Sequence, residues 1–124
     1  MTADRPESRM GGLWILKAFT GVFLIVILLI HLIVNHMVGS ASGLLTYQEV
    51  INYYEKWFIP AMEILFLIFV VTHSLLGVRS IILDFNPSAK TFLAINWLLT
   101  LIGVGFIIYG SWLVIQIVQL GSSG

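Results

Sequence analysis

Three histidines, His31, His36 and His73, stand in or beside stretches of the chain that are otherwise almost wholly apolar. An imidazole in such surroundings is costly and normally faces a bundle interior or a cavity, so each is a candidate for proton handling or metal ligation. The chain contains no cysteine. That removes disulfides, thiolate-held clusters and a thiol nucleophile, and leaves imidazole as the ligand for any redox centre. Four charged groups accompany the histidines: Lys17, Glu63, Arg79 and Asp84.

The elements that must position them follow from composition. Of 124 residues, 59% are hydrophobic and 10% charged, with mean hydropathy +1.02, whereas soluble domains carry about 25% charged residues. The chain therefore reads as an integral membrane protein. Three stretches, 13–38, 57–83 and 91–120, reach the ~20 apolar residues needed to cross a bilayer. The expected fold is all-α, a single domain of three transmembrane helices. The tails 1–11 and 121–124 read as loose. In the first connection, GSASG opens a turn, and Thr46 with Glu49 three residues on forms a capping-box pattern. This predicts a short interfacial helix with Tyr53, Tyr54 and Trp57 at headgroup level. The second connection, DFNPSAK, is tight because Pro87 cannot continue a helix and Asn86 before it is biased away from the helical region. Gly103 and Gly110 are seven residues apart, hence on one helix face, where small residues admit a neighbouring helix.

Arg5, Arg9, Lys17, Arg79 and Lys90 share one side of these spans against Lys56 on the other, so the positive-inside rule places the N-terminus in the cytoplasm. Zero formal net charge with six basic residues offers no grip for nucleic acid. The N-terminus carries Asp4 and Glu7 and resembles no transit peptide or cleavable signal, which points to a prokaryotic cytoplasmic membrane.

Counting from the cytoplasmic helix ends, His31 lies roughly 27 Å deep and His73 roughly 15 Å deep. The axial ligands of one haem approach the iron at nearly equal depth, so a mismatch on the order of 12 Å separates these two histidines. The economical arrangement has each bind its own b-type haem, with a related subunit completing both; the alternative for each is a packed histidine bonded to a neighbouring backbone carbonyl. Gly77, four residues past His73, leaves room on the same face for a macrocycle, with Phe69 and Val70 one turn earlier. Leu24, Ile27, Leu28 and Asn35 line the face of His31. His36 is rotated about 140° from His31 in a regular helix. It is either an interfacial imidazole or a hydrogen-bond donor to a haem propionate or quinone.

The run His73-Ser-Leu-Leu-Gly77-Val-Arg79-Ser-Ile-Ile-Leu-Asp84 fits H-x3-G-x-R-x4-D, and His31-Leu-Ile-Val-Asn35-His36 fits H-L-x-V-N-H. Both patterns resemble the small membrane-anchor (cytochrome b) subunits of succinate:quinone oxidoreductase (succinate dehydrogenase, complex II), the second pattern its two-haem members. The resemblance implies that His73 and His31 ligate two haems. It also implies that Arg79 and Asp84 line the haem-propionate and quinone region, and that the partners are a second small anchor subunit, an iron–sulfur subunit and a flavoprotein subunit. The chain itself would be a non-catalytic subunit passing electrons to quinone. Two departures accompany it: Phe85 stands where many relatives place a quinone-bonding Tyr, and Trp14 and Ala18 stand where some place Ser and Arg. Trp14 and Lys17 are therefore local quinone-site candidates, with belt and snorkelling roles as the alternatives. Glu63 either relays protons at an outer quinone site or meets water at the interface. A haem-free structural anchor, or a cytochrome b subunit of another membrane dehydrogenase or of fumarate reductase, remains the rival reading.

Overall fold

The structure, a computed structural model, describes residues 6–38 and 45–123. Helix α1 (Pro6–Ile33) runs into a π-helical turn (Val34–Val38); α2 (Tyr47–Tyr54), α3 (Phe58–Asp84) and α4 (Ala89–Ser122) follow. Three segments are long and apolar enough to cross a membrane: Gly11–Met37, Phe58–Asp84 and Ala89–Ser122. These match the expected spans to within two residues at each end. The turn expected of Gly39 to Gly43 lies outside the described residues.

The described parts of the tails are mostly helical where loose chain was expected. Residues 6–11 are helical, as a proline in the first turn allows, since its missing N–H would have no partner there. At the other end α4 continues to Ser122 because α2 packs against it: a Cβ at Gly121 would lie 3.1 Å from Glu55 Cγ and 3.3 Å from Ile51 Cγ2. The short helix itself starts as predicted. Thr46 Oγ1 accepts from the Glu49 N–H, and the Glu49 carboxylate accepts from the Thr46 N–H at 2.7 Å. Between α3 and α4, Asn86 adopts a left-handed conformation with φ of 50°, which asparagine tolerates better than most residues. Ser88 then caps α4 by accepting from the Thr91 N–H.

Helix α3 is central, packing against both α1 and α4, which do not touch each other among the described residues. The α1–α3 register is antiparallel: Lys17 meets Ser80, Thr20 meets His73, Phe23 stacks on Phe69 and His31 meets Glu63. On the other face, a Cβ at Gly103 would lie 2.5 Å from Leu75 and one at Gly110 would lie 2.5 Å from Leu67. Both glycines thus open the close approach of α4 to α3 that their spacing suggested. A row of three helices buries little: among the described residues only Ile27, Tyr53, Ile59, Thr20 and Gly103 are buried, while Trp14, Ile25, Leu101 and Ile108 stay more than 60% exposed. Exposed apolar faces of this extent are suited to lipid or partner helices.

Candidate functional site

His73 lies where α3 crosses α1. Its Nδ1 is 3.1 Å from the Lys17 carbonyl oxygen and 3.3 Å from Thr20 Oγ1. A carbonyl can only accept, so Nδ1 carries the proton and Nε2 keeps its lone pair. The Thr20 hydroxyl donates instead to the Leu16 carbonyl at 2.8 Å. The ring fits because Gly21 has no side chain: a Cβ there would stand 3.0 Å from His73 Cε1. Gly77, the residue expected to leave space beside His73, has nothing within 4 Å of an added Cβ.

His31 is held differently. Its Nδ1 lies 3.0 Å from Glu63 Oε1, with the two side chains 27% and 13% exposed. Glu63 is thus engaged with an imidazole from α1 and is mostly buried. The Asn35 amide nitrogen is 2.9 Å from His31 Nε2 and 3.1 Å from Nδ1. Since Nδ1 donates to the carboxylate, the Asn35 N–H is donated to Nε2, and both ring nitrogens are engaged. Phe66 stacks on the ring at 5.4 Å. His73 is level with Lys17 to Gly21 of α1, so His31 lies on the order of 15 Å farther along that helix. This agrees with the depth difference read from the sequence. His36, exposed, lies in the π turn. The regular-helix offset of ~140° does not apply to it, because a π turn bonds residues five apart where the α-helix bonds residues four apart.

Trp14, Lys17, Arg79 and Asp84 converge on one cavity of about 330 Å³ between α1 and α3, completed by Leu13, Leu76, Ser80 and Leu83. Lys17 does not snorkel away from it: its Nζ donates to Ser80 Oγ at 3.1 Å. Arg79 donates from Nε to Asn96 Oδ1 at 3.0 Å and stacks over Phe92 at 4.8 Å, and forms no ion pair with Asp84. Beyond the spans, Tyr53 is buried with its hydroxyl lacking a partner among the described residues. Burial, and then the negative charge of Glu63, push the Tyr53 phenol upward and that of Tyr54 up to about 12.

Thr20, Gly21, Ser80, Phe92 and Asn96 escape a reading by sequence. The hydroxyls look satisfied by their own helices, and Gly21 looks like one more packing glycine. Asn96 carried a usable signal, since a carboxamide inside a span needs a partner.

Three long apolar helices, with His31, His73 and Glu63 placed between α1 and α3 and a cavity lined by Lys17 and Arg79 at one end, define a multi-pass membrane protein. The family described as succinate dehydrogenase/fumarate reductase transmembrane subunit matches residues 8–109. The succinate dehydrogenase hydrophobic membrane anchor subunit of Archaeoglobus fulgidus is 30% identical over 104 residues, covering 84% of this chain and 87% of that protein. No solved structure matches. The chain belongs to the succinate dehydrogenase/fumarate reductase transmembrane subunit family, as a membrane anchor.

Proposed function

We propose that this chain binds haem b and, with a second small anchor subunit, docks the iron–sulfur and flavoprotein subunits to a prokaryotic cytoplasmic membrane. It passes their electrons to quinone. The observation carrying this reading is the state of His73: Nδ1 is committed to the Lys17 carbonyl, leaving Nε2 as a lone-pair donor on a ring seated against the side-chain-free Gly21. That is how an imidazole is prepared for a metal, the outer hydrogen bond fixing tautomer and ring orientation. Haem b, when bound, supplies reversible one-electron transfer. His73 would hold one haem and His31 a second, the latter exchanging the Asn35 N–H for iron at Nε2 while Glu63 keeps Nδ1 oriented.

In the adjoining cavity, Lys17 and Arg79 offer cationic donors for a carboxylate or quinone oxygen, and Trp14 provides a flat apolar wall. Asp84 sits at its rim as the residue able to exchange protons there. Phe85 is 81% exposed and has no donor, so a hydrogen bond from that position would come from a partner subunit. Glu63 acts as the orienting group of His31, and His36 remains an interfacial imidazole.

A second reading, a single haem at His73, is favoured by the engagement of both His31 nitrogens with protein groups. Haem per complex, measured by pyridine haemochrome, separates the two. Two haems in the parent complex and one in each of His31→Ala and His73→Ala are expected. Loss in His73→Ala alone selects one haem, and loss in neither refutes the ligand assignment in favour of a haem-free anchor.

A further inference from the structure

Arg79 is a guanidinium at membrane depth, and such a group usually pairs with a carboxylate or faces water. Here its contacts are neutral. Asn96 Oδ1 accepts from Nε at 3.0 Å, and the ring of Phe92, one turn away on α4, lies 4.8 Å from the guanidinium carbon. Among the described residues no carboxylate pairs with Arg79, and Glu63 is paired with His31. Asp84 lines the same cavity as Arg79 without reaching it. Arg79 also lines a second cavity, about 270 Å³, between α3 and α4 with Asn96 and Gly103, so an unrestrained side chain would have two places to go.

We infer that Asn96 and Phe92 are positioning residues, holding Arg79 as an uncompensated cation for a carboxylate ligand, the propionate of the haem assigned to His73. The inference rests on that assignment. Committing Nε to Asn96 leaves the terminal nitrogens of the guanidinium, the pair suited to grip a carboxylate in bidentate fashion. A neutral acceptor matters as much as its position. Aspartate at 96 would hold the guanidinium equally well and cancel its charge, whereas the carboxamide fixes the side chain and leaves the field intact. A positive charge beside a propionate favours the reduced haem, so the potential of that haem reports on both placement and charge.

The test is a potentiometric titration of the b-type absorbance in the intact purified complex, following the haem that His73→Ala removes. Arg79→Gln and Asn96→Leu are expected to lower its potential, Asn96→Asp to lower it as well, and Asn96→Gln to leave it near the parent value. If Arg79→Gln lowers the potential and Asn96→Leu and Asn96→Asp do not, the positioning role is overturned and the haem reading stands. If Arg79→Gln leaves the potential unchanged, the propionate assignment fails and takes the inference with it. Should Asn96→Leu fail to assemble, the aspartate and glutamine variants decide, because both retain the acceptor and only one adds charge; equal potentials for them overturn the inference.

Discussion

At His73 the Nδ1 proton goes to a neutral backbone carbonyl with a hydroxyl beside it, whereas at His31 it goes to the carboxylate of Glu63. Both imidazoles are oriented from across the α1–α3 interface, yet one partner is built into the backbone and the other is a removable charge. A carboxylate partner raises the basicity of a ligating imidazole, which stabilises the oxidised metal and lowers its potential relative to a carbonyl-held ligand. If both histidines hold haem as proposed, the same pair of helices would give the two haems different electron affinities. The Nε2 atoms differ too: Asn35 occupies that of His31, and no described residue hydrogen-bonds that of His73.

The largest expected effect breaks one site and spares the other. Gly21→Val places a branched side chain where even a Cβ would stand 3.0 Å from His73 Cε1, so the ring is displaced. Haemochrome analysis should show loss of the His73 haem with the His31 haem retained; retention of both would mean the ring does not need that notch.

The charge difference comes next. Glu63→Gln keeps an oxygen acceptor and removes the charge, so the potential of the His31 haem should rise. Thr20→Val leaves the Lys17 carbonyl in place and should move the His73 haem far less. Equal responses in a redox titration would erase the distinction between the two sites.

Smaller still is the effect of Gly103→Ala. Its Cβ would fall 2.5 Å from a Leu75 methyl, and such overpacking costs about 1–3 kcal/mol. The loss should appear in detergent unfolding while both haems remain, since no described residue of α4 hydrogen-bonds or stacks on either histidine.

Weakest is Thr46→Ala, which removes an N-cap worth ~1 kcal/mol. Hydrogen exchange at the Glu49 and Val50 amides should accelerate. In the parent protein the backbone N–H and hydroxyl of Thr46 hold the Glu49 carboxyl below its ordinary value. The support it gives is thus present above the ordinary carboxylate range and is lost as pH falls through the lowered value. A helix α2 that loosened with rising pH would contradict this.

Much of the site was legible because a membrane makes polar residues conspicuous. His31, His73, Glu63, Arg79 and Asp84 stand out against apolar runs, and helical rise alone put the two histidines at different depths. Pairing was not legible. That His31 meets Glu63, that Lys17 meets Ser80, and that Arg79 turns toward α4 and leaves Asp84 unpaired all depend on the rotation of one helix about another. Long helices that are apolar on all sides leave that rotation undetermined by hydrophobic pattern.

The sequence by itself determined the number of spans, their ends and the capped helix between the first two, because burial in lipid and backbone capping are local demands met within each segment. It also determined which chemical groups were available inside the membrane. Tertiary structure alone decided that α3 lies between α1 and α4, that Gly21 makes the seat of His73, and that Asn96 holds Arg79. Those outcomes turn on close contacts between residues distant in sequence, where a missing Cβ or one carboxamide oxygen selects among helix rotations that the apolar composition leaves nearly equal.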